Sequence, residues 1–225
     1  MTIVKICGLR TIEHALAAVE AGADLLGFIF APARRQVSRA EVAAIGAAVR
    51  AAPGGSRVGL VGVFVDEPAG HMLDIAGACG LDALQLSGDE AAAIVGELCA
   101  EGADRAIIKT LRLAGADTEQ GWLAAGPPVR LHVDAHVPGA YGGAGVVADW
   151  DRAAELARRR AIILAGGLTP SNVARAIAQV QPWGVDVSSG VETDGIKDSA
   201  KIRAFVAAVR AADQAQATAS LRHET

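Results

Sequence analysis

Short aliphatic runs alternate with longer Ala-rich stretches of helical spacing from one end of the chain to the other, and this alternation constrains the fold more than any other feature. The strand candidates are Ile3 to Ile6, Leu25 to Phe30, Val58 to Val65, Ala83 to Leu86, Ala106 to Lys109, Leu131 to Val133, Ala161 to Leu164 and Gly184 to Val187. Helical spacing falls between them, near Thr11 to Glu20, Ser38 to Ala51, Pro68 to Ala78, Asp89 to Leu98, Thr118 to Ala124, Trp150 to Arg159, Pro170 to Ile177 and Ser199 to Val209. Eight units in 225 residues is about 28 residues per unit, a compact pitch for β/α repeats.

Leu25-Leu-Gly-Phe-Ile-Phe and Ala161-Ile-Ile-Leu-Ala are continuous apolar runs, as expected of parallel strands buried on both faces. Helices then belong on the outside. Eight unbroken units, with no GxGxxG after the first strand, favour a closed (β/α)8 barrel over an open doubly wound sheet. Ser38 with Glu41 three residues on predicts a capping box, and Thr169-Pro170 predicts a second helix start. No linker divides the chain, so residues 1–210 are expected to form one barrel domain. The polar, Ala/Gln/Thr-rich residues 211–225 are expected to fray.

Composition narrows the function classes. Charged residues make up 20% and hydrophobic residues 52%, the balance of a folded globular protein. Glu20, Asp24, Asp66, Asp74 and Asp82 interrupt the most hydrophobic regions, and the N-terminus lacks a basic-then-apolar layout, so a soluble cytoplasmic protein with no membrane partner is expected. A net charge of -4 with only Arg158, Arg159 and Arg160 clustered offers nucleic acid no continuous track. Cys7, Cys79 and Cys99 stand far apart without a CxxC, which fits neither a disulfide framework nor a zinc site.

In a (β/α)8 barrel the reacting groups lie at the C-terminal ends of the strands. Read in order, those positions hold Cys7, Arg34 and Arg35, Asp66, Gln85 and Ser87, Lys109, Asp134, Gly166 and Gly167, then Ser188, Ser189 and Gly190. Ala165-Gly-Gly-Leu-Thr-Pro ends a strand and opens a helix, so small residues let backbone amides approach an anion. With Asp186-Val-Ser-Ser-Gly after the eighth strand, it makes a phosphate site at the loops where such barrels carry one. Gly-Gly before a helix can equally be a tight turn.

Lys5-Ile-Cys-Gly-Leu, Gly27-Phe-Ile-Phe-Ala-Pro, Val61-Gly-Val-Phe-Val, Leu84-Gln-Leu, Val133-Asp-Ala with Gly142-Gly, Ala165-Gly-Gly-Leu-Thr-Pro-Ser-Asn-Val and Asp186-Val-Ser-Ser-Gly-Val-Glu run in order along nearly the whole chain. Together they resemble the phosphoribosylanthranilate isomerase family of tryptophan biosynthesis. The resemblance implies an Amadori rearrangement of N-(5-phosphoribosyl)anthranilate, a phosphosugar, with no cofactor and no metal, in a monomer. It implies Cys7 as general base and Asp134 as general acid. Arg35, Gln85 and Asp186 would contact the substrate, while Gly143, Gly166, Gly167, Ser188, Ser189 and Gly190 would hold its phosphate. The acid must hold a proton to open the furanose ring, and the thiol must be partly ionised to take the proton from the sugar C2.

Bland alternatives stand beside these roles. Cys7 can be a small buried hydrophobe and Asp134 a turn residue. Arg35 is preferred over Arg34 by counting back from Val37-Ser38, and either can be a solvated charge. Asp66 and Lys109 read as structural. Lys5 and Asp186 are expected to pair where the eighth strand meets the first, the ammonium favouring a Cys7 thiolate; an interior salt bridge needed only for folding is the alternative. Three positions depart from the family pattern: Ser87 stands where a histidine is usual, Ala144 replaces a threonine, and His132 replaces an aliphatic residue. His132 reads as a buried neutral core histidine or as a polar contact to the acid. Rival functions are a phosphosugar isomerase of the histidine-pathway type, which usually carries two aspartates, and a catalytically weak phosphate-ligand binder.

Overall fold

A computed structural model describes residues 1–100, 105–112, 117–126, 129–134 and 150–223. Eight parallel strands close into a barrel in sequence order: β1 (Ile3–Cys7), β2 (Leu25–Ile29), β3 (Gly59–Phe64), β4 (Ala83–Leu86), β5 (Ala106–Leu111), β6 (Val129–Asp134), β7 (Ile162–Ala165) and β8 (Gly184–Val187). The helices follow the strands: α1 (Ile12–Ala21), α2 (Arg39–Ala51), α3 (Ala69–Cys79), α4 (Ile94–Ala100), α5 (Asp117–Ala124), α6 (Trp150–Ala157), α7 (Val173–Val180) and α8 (Ser199–His223). The expected (β/α)8 barrel is the fold. A short antiparallel hairpin, β9 (Glu192–Thr193) and β10 (Ile196–Lys197), projects after β8 and was not expected.

Outward-facing strand residues such as Val4, Ile6, Leu26, Phe28, Leu60, Leu84, Leu131 and Val185 pack against the helices in one continuous apolar layer. Successive residues point to opposite faces, so the alternate set points inward. Followed around the barrel through its strand register, the inward positions rise by two residues every second strand, the stagger of an eight-stranded barrel. The walk closes into rings of four. At the floor stand Leu25, Ala83, Arg130 and Gly184, with the Arg130 guanidinium stacked 3.6 Å from the Trp183 ring. Next come Lys5, Val61, Ile108 and Ile163; then Gly27, Gln85, His132 and Asp186; then Cys7, Val63, Thr110 and Ala165. Ile29, Ser87, Asp134 and Ser188 form the outermost ring, and all four are partly exposed, as a mouth requires.

Three helix boundaries differ from those expected. α4 starts at Ile94 rather than Asp89 because Glu90 is drawn out of helical position: its carboxylate accepts from the Asp66 and Gly88 amides and pairs with Lys109 at 2.5 Å. Asp66 accepts from the Asp89 amide, so Asp66 and Lys109 both belong to a staple that holds the loops after β3 and β4. α7 starts at Val173, not Pro170; Asn172 accepts from the Thr169 amide and the Thr169 hydroxyl turns to Ser171, so Thr169 does not cap the helix. α8 continues to His223, through the polar stretch expected to fray; at the start of that stretch the Asp213 carboxylate accepts from the Thr2 amide and hydroxyl, and Gln216 donates to the Ile177 carbonyl.

The Ser38–Glu41 box forms as read, each side chain bonding the other's backbone amide at the start of α2. Ser38→Ala should lower stability by about 1 kcal/mol in urea unfolding without changing the slope of the transition. Turnover should be untouched, since α2 packs on the outer layer.

Candidate active site

Cys7 and Asp134 end β1 and β6 on inward-facing positions, in the two uppermost rings of one barrel mouth. Below them lies a buried polar line. Lys5 Nζ is 3.0 Å from Asp186 Oδ2, and His132 Nε2 is 2.9 Å from the same oxygen. The expected Lys5–Asp186 pair is present, and Lys5 Nζ and Cys7 Sγ both flank Gly27, where the ammonium's charge acts on the thiol. His132 is buried but touches Asp186 rather than Asp134, because residues two apart on a strand stack along the barrel axis instead of converging.

The electrostatics of this line differ from expectation at one point. Burial works against the carboxylate of Asp186, but the Lys5 charge and the His132 hydrogen bond outweigh it and hold the group down to about 2. Burial also works against the Lys5 ammonium, yet Asp186 and Cys7 leave it raised. Burial pushes the Cys7 thiol up; the Lys5 ammonium pulls the other way without cancelling it, and Asp186 adds to the rise. The surroundings of Cys7 in the free protein thus favour the thiol over the thiolate, with burial the leading cause, where a partly ionised group was expected.

Gly27 makes room for these groups. A Cβ there would lie 2.8 Å from Cys7 Sγ and 3.0 Å from Lys5 Nζ, inside contact distance of both. Gln85 completes the ring; its amide nitrogen donates to Ser87 Oγ and Thr110 Oγ1, both at 3.3 Å, and these hydroxyls bond each other at 2.9 Å. Ser87, standing where an imidazole was expected, is thus anchored within the mouth.

Arg34 and Arg35 both converge on Glu192, a residue quoted in the sequence motif without a role. Arg35 pairs with it through two parallel bonds, Nε to Oε1 at 2.6 Å and Nη2 to Oε2 at 2.9 Å. Lys197 Nζ adds a third cation at 2.8 Å. Burial opposes the Glu192 charge, but these donors hold its carboxyl down at about 2. Arg35 is the one turned to the mouth: a Cβ on Gly8, next to Cys7, would stand 2.6 Å from its Cδ. Arg34 instead reaches the hairpin, bonding the Gly195 carbonyl, and is largely exposed. Glu192 was invisible in sequence because a lone glutamate after Ser-Ser-Gly-Val reads as a surface charge.

The two glycine-bearing loops lie against each other. Gly166 and Gly167 adopt positive φ of 92° and 63°, and a Cβ on Gly190 would sit only 1.9 Å from the Leu168 carbonyl oxygen, so that contact needs glycine. Ser189 and Gly190 share a single 3₁₀ turn, Ser189–Val191. Ser188 is turned inward, its hydroxyl donating to the Cys7 carbonyl at 3.2 Å. Gly143 and Ala144 lie outside the described residues. Among the described residues no group of three or more His, Cys, Asp or Glu could hold a metal ion, and no helix is long and apolar enough to cross a membrane.

Two outcomes follow from this geometry. Gly27→Ala should displace the Cys7 sulfur and the Lys5 ammonium and lower turnover at least tenfold, read by steady-state kinetics beside an unfolding curve. Because Asp186 titrates lower in the folded than in the unfolded chain, its contribution, roughly 2–3 kcal/mol, is present above about pH 4 and lost as pH falls toward 2. Urea unfolding of Asp186→Asn should show lower stability at neutral pH and a flatter dependence across that acid range.

Comparison with known proteins identifies the family to which this fold belongs. Residues 4–208 match the family model described as N-(5'phosphoribosyl)anthranilate (PRA) isomerase. The N-(5'-phosphoribosyl)anthranilate isomerase of Roseiflexus sp. (strain RS-1) is 58% identical over 217 residues, covering 95% of this chain and all of the relative. Among solved structures, the phosphoribosyl anthranilate isomerase of Thermotoga maritima superposes with a TM-score of 0.80 at 36% identity, covering 94% of this chain and 100% of that one. That enzyme has also been solved as monomers generated from its dimeric form. A phosphoribosyl anthranilate isomerase in complex with reduced 1-(o-carboxyphenylamino)-1-deoxyribulose 5-phosphate superposes at 0.77 with 33% identity, covering 94% of this chain and 100% of that one. By the span of the family model and the identity to full-length relatives, the chain belongs to the N-(5'-phosphoribosyl)anthranilate isomerase family.

Proposed function

We propose that this chain isomerises N-(5-phosphoribosyl)anthranilate to 1-(2-carboxyphenylamino)-1-deoxyribulose 5-phosphate, with Cys7 and Asp134 as its proton-transfer pair. The observation that carries this reading is the placement of a thiol and a carboxyl in adjoining rings of one mouth, beside two touching glycine loops. Asp134 delivers a proton to the furanose ring oxygen, breaking the C1–O bond and leaving a protonated Schiff base at C1. Cys7 as thiolate takes the proton from C2, and the C2–H electrons close to the enolamine, which tautomerises to the ketone. Electrons are only redistributed, so no redox partner enters.

The upward push of burial on the Cys7 thiol fits a base that ionises as substrate fills the mouth, where the cationic Schiff base favours a thiolate. Arg35 serves the anthranilate carboxylate. Its bidentate partner Glu192 uses Nε and Nη2, which leaves Nη1 for a ligand, and the pair fixes the guanidinium before substrate arrives. Gly166, Gly167, Ser189 and Gly190 line the phosphate side, with Gly143 contributing from beyond the described residues. Ser188 acts there through its backbone, since its hydroxyl is committed to Cys7. Gln85 and Asp186 shape the floor beneath the sugar rather than grip it. We take the working form to be a cytoplasmic monomer; sedimentation velocity separates this from the dimer of the T. maritima relative.

A histidine-pathway isomerase is less well supported, because the β1 position holds a thiol where those enzymes usually carry an aspartate. An anthranilate-fluorescence assay decides between catalysis and mere binding. Cys7→Ser and Asp134→Asn should each lose at least about 100-fold in kcat while still binding substrate saturably. Arg35→Met should raise KM about tenfold or more with a smaller change in kcat. Tight binding without turnover in the unaltered protein would instead favour a phosphate-ligand binder.

A further inference from the structure

The ring beneath Cys7 holds a group that the proposed reaction does not use. His132 is buried, and its Nε2 shares Asp186 Oδ2 with the Lys5 ammonium, while Asp186 Oδ1 and His132 Nδ1 have no hydrogen-bond partner among the described residues. A carboxylate only accepts, so the ring nitrogen facing it carries a proton and His132 is the donor. Lys5 Nζ and Cys7 Sγ both flank Gly27, at 3.0 and 2.8 Å from where its Cβ would stand, and the ammonium's charge acts on the thiol. Four side chains from β1, β8 and β6 thus form one line, with the carboxylate between two donors and the ammonium between carboxylate and sulfur.

We propose that His132 is a positioning residue for the base: by donating to Asp186 it shares the carboxylate's demand, so that the Lys5 ammonium is left to serve the Cys7 sulfur. The inference rests on the reading of Cys7 as the base. Deprived of His132, Asp186 draws its hydrogen bonding from Lys5 alone. The ammonium is then pulled toward β8, and more of the carboxylate's charge is felt at the sulfur. Both changes act against the thiolate. His132 stands one ring below Cys7 and two below Asp134, so it acts through its neighbours.

Other charges facing this line are accounted for. Cys7 meets Lys5 on its own strand, Asp186 from β8, Lys197 from the hairpin and Arg35 from the loop after β2, the last two themselves tied to Glu192. His132 meets Asp186, with Arg130 and Asp134 two residues either side on β6. None of these replaces a donor to Asp186 from the β6 side.

The test titrates the thiol directly, by its ultraviolet thiolate absorbance in a Cys79→Ala, Cys99→Ser background, alongside the pH profile of kcat/KM. In His132→Leu the Cys7 midpoint should move up by about one pH unit, so that kcat/KM at neutral pH falls about tenfold and the gap closes in alkali. His132→Gln, which keeps a donor, should titrate closer to the unaltered protein. His132→Phe keeps the ring volume and removes the donor, and takes the place of the leucine variant should that fail to fold. An unchanged Cys7 midpoint in the donor-less variant overturns the inference, whatever its thermal stability, since a purely structural histidine would alter only unfolding. Should Cys7→Ser keep full turnover, the reading of Cys7 as base falls instead, while the thiol titration still reports on His132.

Discussion

A lysine with no solvent exposure and an aspartate almost as deeply buried meet at 3.0 Å inside the barrel, and the rest of the interior is arranged around them. Two isolated charges at that depth would each cost several kcal/mol, so neither can be there without the other. The register supplies the meeting, since Lys5 and Asp186 are direct neighbours where β1 closes against β8. Closure of the barrel and neutrality of its interior are therefore one requirement. Removing either partner leaves a buried charge and an unsealed seam.

The stagger of the strands decides what else that pair can touch. Rising by two residues every second strand, it puts His132 in the ring of Asp186, Lys5 in the ring below and Cys7 in the ring above. Apolar neighbours Val61, Ile108 and Ile163 surround Lys5 and keep the local dielectric low, which strengthens every interaction along the line. At the rim a different logic holds. Glu192 gathers Arg34, Arg35 and Lys197 into a cluster that ties the loop after β2 to the hairpin after β8, beside the C-terminal end of β1.

Much of this was legible in the residues. Aliphatic runs of Val, Ile and Leu spaced by helical stretches were enough for eight strands and a closed barrel, because parallel strands buried on both faces leave an unmistakable pattern. Cys7, Asp134 and the Lys5–Asp186 pair followed from strand ends and from the two-residue period. Long-range side-chain geometry was not legible. Glu90 delays α4 through contacts with Asp66 and Lys109, and Asp213 at the start of the polar stretch of α8 reaches Thr2, contacts that no local window contains. His132 met Asp186 across the barrel, a partner 54 residues away, and Glu192 gained its role only once three cations from two segments came around it.

The stacked Arg130 and Trp183 at the floor have a consequence for traffic. With the interior beneath the mouth filled by side chains, a molecule that enters at the rim among the described residues departs by the same threshold.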